Sequence, residues 1–188
     1  MLHRKTTTSG VLAIMLIVLA TTTASGQSSW NNSFGGSFGL AGNWTPAVVP
    51  TGGVIFSLSS PGYVVTMDTS RWTFYLEINN DTVTIDLKGY TYQLFNSGLF
   101  VGYFGGNKGV LTLQNGGFEC QLAQLACSVG SRGAVQVVGG TWWKNNDTMT
   151  VGLAGTGQLT VSGGGTVTGT PSATLGQNAG PARSSSTA

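Results

Sequence analysis

The chain has 188 residues, enough for one domain with a sizeable core or for one elongated stack, and its formal net charge is only +2. Its eight basic and six acidic residues are scattered, so no clustered basic face indicates binding to nucleic acid or to an anionic membrane. The single histidine, His3, lies at the N-terminus, which excludes histidine-dependent nucleophilic catalysis and imidazole metal ligation in the rest of the chain.

The first 26 residues differ from the rest and predict a secretory signal peptide. A basic start at His3-Arg4-Lys5 precedes an apolar run of ten residues at 11–20, and small residues follow it. Ten residues rise only about 15 Å as a helix, half of a bilayer core. This pattern favours a cleaved signal, with the cut near Gly26 or Gln27, over a membrane anchor or a buried helix. We therefore expect a secreted or cell-surface protein, extracellular or associated with an outer membrane, with no membrane span after cleavage.

Residues 27–98 predict an N-terminal capping β segment that runs into the first coils of a repeat. Short alternating runs are separated by turn signals such as Pro61-Gly62 and Lys88-Gly89. The segment is rich in aromatic residues and does not follow the register of the repeats after it. An open stack of strands exposes unpaired edges, so a cap is expected there.

Residues 99–180 contain a 24-residue repeat that predicts a β-solenoid. The positions that recur are Leu111, Val135 and Leu159, then Leu113, Val137 and Val161, then Gly116, Gly140 and Gly164. Such half-apolar strands cannot bury their faces alone, but coils stacked about 4.8 Å apart satisfy the backbone and align like residues. Because the glycines recur in step with the side chains, the repeat favours a parallel β-helix over hairpins of an antiparallel sheet or propeller.

A second recurring element, an apolar residue followed by glycine, precedes each copy. Its occurrences are Val101-Gly102, Val129-Gly130, Val151-Gly152 and Leu175-Gly176. The distance from this element to the next copy varies, which indicates corner loops of different length.

Aromatic side chains are the candidates for contact with sugar. In the repeat register Phe118 aligns with Trp142, and Thr166 takes that place in the third copy. The simpler interpretation is that these rings fill the core or the corners; the alternative is an exposed platform for sugar rings. Adjacent side chains on a strand face opposite ways, so one ring of the Trp142-Trp143 pair can be exposed. The candidate sugar contacts are Trp142, Trp143, Trp72 and Tyr90.

The two cysteines, Cys120 and Cys127, predict one disulfide that closes a small loop in an exported chain. The alternative is a pair of small buried thiols, or two thiols on different faces. A loop this short removes little chain entropy, worth about 2–3 kcal/mol, so the bond would fix a local turn and not the whole fold.

We predict no catalytic residues, no cofactor and no metal site. Glycoside hydrolysis needs two carboxylates about 5–9.5 Å apart, and the candidate pairs are Asp81 with Asp86 and Asp68 with Glu77. Solvated carboxylates in turns explain the first pair equally well. Calcium-binding nonapeptides would show Gly-Gly-x-Gly-x-Asp, and the aspartate is missing from each copy.

Residues 181–188 predict a disordered tail or a truncated repeat. The next copy would place strand residues where the sequence has Arg183 and Ser185, among serines and small residues. We expect a fragment of a longer chain in preference to an unfinished last coil.

The sequence resembles bacterial extracellular proteins with autotransporter-associated, passenger-like β-strand repeats, such as sorted surface proteins of planctomycetes. The resemblance covers residues from about 30 to 180 and rests on Asn43-Trp44, Pro50-Thr51-Gly52-Gly53 and the Val-Gly … Gly-x-Leu-Thr-Val-Ser-Gly-Gly unit at 151–165. It implies a right-handed parallel β-helix with a structural or adhesin-like role, whose partners are polysaccharide, the cell envelope or like chains. It supplies no catalytic residue. The alternative function is a carbohydrate-binding or polysaccharide-degrading β-helix.

Overall fold

The computed structural model describes residues 26–95, 97–176 and 182–186. Apart from a 3₁₀ turn at Ala41–Asn43, its regular structure is β-strand. In chain order the strands are β1 (Ser28–Trp30), β2 (Gly36–Ser37), β3 (Trp44–Thr45), β4 (Gly53–Phe56), β5 (Tyr63–Thr66), β6 (Arg71–Thr73), β7 (Tyr75–Ile78), β8 (Asp81–Asp86), β9 (Thr91–Leu94), β10 (Gly98–Val101), β11 (Lys108–Gln114), β12 (Gly117–Cys120), β13 (Leu122–Leu125), β14 (Arg132–Val138), β15 (Trp142–Asn145), β16 (Thr148–Val151), β17 (Thr156–Val161), β18 (Thr166–Thr168), β19 (Ser172–Leu175) and β20 (Ala182–Ser186). Within these ranges no helix is long and apolar enough to cross a bilayer. The predicted signal peptide, residues 1–26, lies outside the described residues except for Gly26.

The strands form three sheets that run the length of the stack. Sheet A has the order β3-β1-β4-β7-β10-β13-β16-β19, sheet B the order β2-β5-β8-β11-β14-β17-β20, and sheet C the order β6-β9-β12-β15-β18. From β4 onward the chain visits sheets A, B and C in turn, and successive strands in each sheet are parallel. The fold is a β-solenoid of about six turns with coils of about 24 residues, which confirms the predicted β-helix and excludes antiparallel hairpins.

The repeat register of sheet B is the one read from the sequence. Leu111 pairs with Val135 and Val135 with Leu159, each 24 residues further along the chain. In sheet A the spacing differs, since Ala123 pairs with Met149, 26 residues later. The additional residues lie in the corners, so the strands stay in register although the coils are unequal in length.

The apolar-glycine element was assigned to the wrong residue in one coil. The buried residues that precede the corner in sheet A pair in the order Val101, Leu125, Val151 and Leu175. Leu125 is fully buried, whereas Val129 is 81% exposed in the corner loop. The prediction of Val129 failed because the residue after Leu125 is Ala126, which adopts the positive φ (54°) that glycine adopts in the neighbouring coils.

The inner row of sheet C is aromatic. Tyr92, Phe118 and Trp143 are buried and stack in sequence, with ring centroids 5.8 and 6.0 Å apart in edge-to-face geometry. Each such contact stabilises by about 0.5–1.5 kcal/mol beyond area burial. Phe118 pairs with Trp143, so its predicted alignment with Trp142 is wrong by one residue. Because side chains alternate along a strand, that shift places Trp143 inside and Trp142 outside.

An N-terminal cap closes one end of the interior, as predicted. β3 turns back antiparallel to β1, the last long strand of sheet A at this end. The buried ring of Trp44 packs edge-on against Trp30 and Phe38, at centroid distances of 4.9 and 4.8 Å. Phe38 also contacts Tyr92 at 5.4 Å, so the cap continues the aromatic row of sheet C. The indole N–H of Trp44 donates to the carbonyl oxygen of Phe38 (2.7 Å), which satisfies this buried donor.

The other end of the described stack is less covered. Leu159, Val161 and Val167 are only partly buried, and Leu175 is 52% exposed. β20 pairs in parallel with β17, and it lies in the segment for which the sequence predicts a disordered tail or a truncated repeat. The disordered interpretation is therefore wrong for residues 182–186, because strand pairing is made by backbone groups and needs no apolar side chains.

The predicted disulfide between Cys120 and Cys127 is absent, and both thiols are free. Cys120 faces the interior at the end of β12, where its thiol donates to Asn145 Oδ1 (3.3 Å) and accepts from Trp143 Nε1 (3.2 Å). Cys127 lies beyond the next strand in a corner and is partly exposed. Burial raises the pKa of Cys120 to about 12 and that of Cys127 to about 11.

The register of β12 and β15 can be tested by truncating the two adjacent tryptophans. Trp143→Ala should lower the free energy of unfolding by about 3–5 kcal/mol because it leaves a cavity in the aromatic row. Trp142→Ala should lower it by about 1 kcal/mol, since 40% of that ring is already exposed. Chemical denaturation followed by circular dichroism measures both. Equal losses, or a larger loss at Trp142, would contradict the register.

The state of the cysteines can be tested by alkylation without reductant. Both thiols should be labelled after denaturation, and in the folded protein Cys127 should react before Cys120, which is fully buried. Because only the thiolate reacts, and the pKa of Cys127 is about 11, its labelling rate should rise about tenfold per pH unit from pH 7 towards 11. Mass spectrometry locates the label; denatured protein that takes up none would indicate a disulfide.

Candidate functional site

The outer face of sheet C carries most of the aromatic residues that the sequence proposes as sugar contacts. Trp72 on β6 is 53% exposed and Trp142 on β15 is 40% exposed. Tyr90, at the corner before β9, is 39% exposed. The fourth candidate, Trp143, is fully buried, so its prediction as a sugar contact is wrong.

Strand pairing aligns a row of outward side chains across this face. Trp72 pairs with Gln93, Gln93 with Glu119, and Glu119 with Lys144. At about 4.8 Å for each step, the row from Trp72 to Lys144 spans about 14 Å along the stack. Two of its members thus come from coils that are far apart in sequence.

Two phenylalanines that the sequence analysis did not consider extend the aromatic end of the row. The ring of Trp72 lies 6.4 Å from those of Phe74 and Phe95, measured between centroids. With Gln93 these three rings line a shallow hollow of about 330 Å³. The signal in the sequence was the Trp-Thr-Phe alternation at 72–74, which places both rings on the same side of the chain.

Glu119 is the polar centre of the row. Its carboxylate accepts hydrogen bonds from Gln93 Nε2 (3.3 Å), Lys144 Nζ (3.1 Å) and Asn146 Nδ2 (2.9 Å). The hydrogen bond from Asn146, supported by Lys144, lowers the pKa of Glu119 below its usual value. The face therefore combines aromatic rings with a fixed carboxylate, an ammonium group and amides.

Trp142 depends on a glycine in the preceding coil. Trp142 pairs with Gly117, and a Cβ atom built on Gly117 would lie 2.1 Å from Cζ2 of the indole. Any larger residue at 117 would therefore displace the ring from this face. We call the whole surface the sheet C aromatic face; its members are Trp72, Phe74, Gln93, Phe95, Glu119, Trp142, Lys144 and Asn146.

The carboxylates considered for glycoside hydrolysis have structural partners. Asp81 is buried and accepts hydrogen bonds from the hydroxyl of Tyr63 (2.6 Å) and from the backbone N–H groups of Leu58 (3.0 Å), Ser60 (3.1 Å) and Thr82 (3.1 Å). Burial, together with this hydrogen bond, raises the pKa of Tyr63. Asp86 lies at the far end of the same strand, about 16 Å away, which is beyond the range of a catalytic pair.

The second candidate pair fares no better as a catalytic unit. Asp68 forms an ion pair with Arg71, with a distance of 2.9 Å between Oδ1 and Nη2. Glu77 lies on β7 in sheet A and accepts a hydrogen bond from Asn79. In the part of the chain that the structure describes, no three histidine, cysteine or acidic side chains are grouped to hold a metal ion.

Comparison with known proteins finds no matching family model, no matching curated protein and no matching solved structure. A function for this chain must therefore be inferred from its own residues and their geometry.

The structural role of Asp81 can be tested by removing its carboxylate. Asp81→Ala should lower the free energy of unfolding by at least about 3 kcal/mol because it leaves several buried donors without an acceptor. Asp68→Ala is the matched control and should cost less than about 1 kcal/mol, since its ion pair with Arg71 is exposed. Urea denaturation measures both; a negligible effect of Asp81→Ala would overturn the structural assignment.

Proposed function

We propose that this protein is an exported, non-enzymatic β-solenoid with a structural or adhesin-like role at the cell surface or in the extracellular matrix. The observation that supports this proposal is the stack of three continuous sheets, whose coils present rigid faces at fixed spacing. The apolar run at 11–20, with its basic start, supports export. The resemblance to proteins with autotransporter-associated repeats points the same way.

A rigid sheet face suits adhesion to an extended partner. Its outward side chains are ordered before binding, so contact with a polymer requires little further loss of conformational entropy. The same arrangement repeats along the stack, which allows several weak contacts to act together. The partners proposed from the sequence, namely polysaccharide, the cell envelope and like chains, all offer such repetitive surfaces.

Carbohydrate binding is a second candidate function, favoured by the sheet C aromatic face. Trp72 and Trp142 offer exposed rings against which the apolar C–H faces of sugars can stack. Between them, Glu119 and Lys144 can accept from and donate to sugar hydroxyls. This combination of apolar surface with a few oriented polar groups is typical of small-molecule recognition.

The location can be tested by protease treatment of intact cells that express the full chain. Exposure of the solenoid at the surface, or its recovery from the medium, is the expected result. Retention of the whole protein inside the cells would overturn the proposal of an exported structural protein, whatever the outcome of the sugar assays.

Sugar binding can be tested by co-sedimentation of the purified chain with insoluble polysaccharides such as cellulose, chitin and peptidoglycan. Trp72→Ala and Trp142→Ala should each weaken binding by about tenfold, in line with loss of one stacked ring. Phe34→Ala is the matched control, because Phe34 is 95% exposed in the cap, away from sheet C, and its loss should change nothing. Binding that is absent, or equally reduced by all three changes, would contradict the role of this face.

A further inference from the structure

A second group of aromatic side chains lies on the outer face of sheet A, away from the sheet C aromatic face. Tyr75 and Glu77 come from β7, Phe100 from β10, and Tyr103 and Phe104 from the corner that follows β10. Together they line an open hollow of about 220 Å³, which we call the sheet A cup. None of these rings belongs to the surface proposed for sugar.

The rings of the cup are arranged nearly at right angles to one another. Tyr75 and Phe100 are 6.5 Å apart at 71°, Phe100 and Tyr103 are 5.2 Å apart at 75°, and Tyr103 and Phe104 are 5.2 Å apart at 86°. Successive rings therefore do not stack face to face and fill the hollow. Their electron-rich faces and their edges are instead presented around it.

A carboxylate lies within this aromatic lining. Glu77 is only 9% exposed, and in sheet A it pairs with Phe100 of the next coil. Among the described residues, the donor to its carboxylate is Asn79 Nδ2, at 2.8 Å, and no cationic group forms an ion pair with it. The other amide atom of Asn79, Oδ1, is buried without a hydrogen-bond partner. Buried carboxylates are normally paired with a cation, so this cup has an acceptor without its counter-charge.

The negative charge of Glu77 acts on the rings around it. Burial raises the pKa of Tyr75, and the charge of Glu77 raises it further. The hydroxyl of Tyr75 donates to Gln27 Oε1 at 3.2 Å, so it is directed away from the carboxylate that it could otherwise have satisfied. The cup thus has aromatic walls, a negative floor and no donor of its own beyond Asn79.

We propose that the sheet A cup binds an organic quaternary ammonium group. Aromatic faces attract a cation within about 6 Å, and the attraction is larger when the site excludes water. A small inorganic cation would have to lose its hydration shell against apolar rings, whereas methyl groups on nitrogen spread the charge and pack against them. Glu77 supplies the compensating charge. The chemistry is that of a trimethylammonium group, carried either by a free molecule such as choline or by a phosphatidylcholine headgroup.

The proposal can be tested by titrating the full chain with choline chloride and following the N-methyl proton resonance by NMR. A saturable upfield shift is expected, because ring currents shield a group enclosed by aromatic faces. Potassium chloride and 3,3-dimethyl-1-butanol, the neutral isostere of choline, are the matched probes and should not compete. Competition by the neutral alcohol equal to that of choline would overturn the proposal, as would the absence of a saturable shift.

Variants locate the binding and guard against a loss of folding. Glu77→Gln should weaken choline binding by about tenfold, and Phe104→Ala, which removes a ring that is 52% exposed in a corner, should weaken it without unfolding the chain. Glu119→Gln on sheet C is the control and should bind normally, so this result is independent of the sugar assays. Unchanged binding by both cup variants would place the ligand elsewhere and refute the site.

The source of the ammonium group is distinguished by a second arm. Co-sedimentation with phosphatidylcholine vesicles, compared with phosphatidylglycerol vesicles, reports whether the cup accepts a headgroup at a membrane surface. Binding to phosphatidylcholine vesicles that is lost in Phe104→Ala supports a lipid source. Binding of choline alone supports a free ligand, and both results support the ammonium site.

Discussion

Parallel pairing of equivalent residues in successive coils is the constraint on which the rest of this structure depends. Each strand satisfies its backbone groups only through the coils above and below it, so a shift in one coil disturbs every neighbour. The pairing of Leu111 with Val135 and Leu159 keeps the inner face of sheet B apolar. The same pairing brings Tyr92, Phe118 and Trp143 into one buried row, which the cap extends through Phe38.

The sequence was sufficient for the fold class because its signal repeats. Glycine-bounded strands at a 24-residue spacing identify sheet B, and the irregular aromatic segment before them identifies the cap. The spacing misleads wherever a corner changes length. Between β11 and β12 the corner has two residues, whereas between β14 and β15 it has three, because Thr141 is added. An alignment that assumes equal corners therefore matches Phe118 with Trp142 in place of Trp143.

The candidate sites were harder to predict, because their members meet only in the folded stack. Trp72 and Phe95 come from different coils, and Glu77 reaches the sheet A cup beside Phe100 of the following one. Sequence reasoning considered Glu77 only as a partner for Asp68, by analogy with catalytic pairs. Nothing local marks it as an unpaired buried charge. Ala126 was missed for a related reason, since its positive φ is imposed by coils on both sides and not by its own preference.

The unequal corners have a consequence for how such a chain can change over generations. A single-residue insertion within β11 or β14 would turn every following side chain of that strand to the opposite face, and selection would remove it. The same insertion at a corner leaves all strands in register, as Thr141 shows. Gain or loss of a whole coil is equally neutral for pairing. Length variation in descendants of this gene should therefore fall at corners or in steps of one coil, while the two aromatic surfaces keep their geometry.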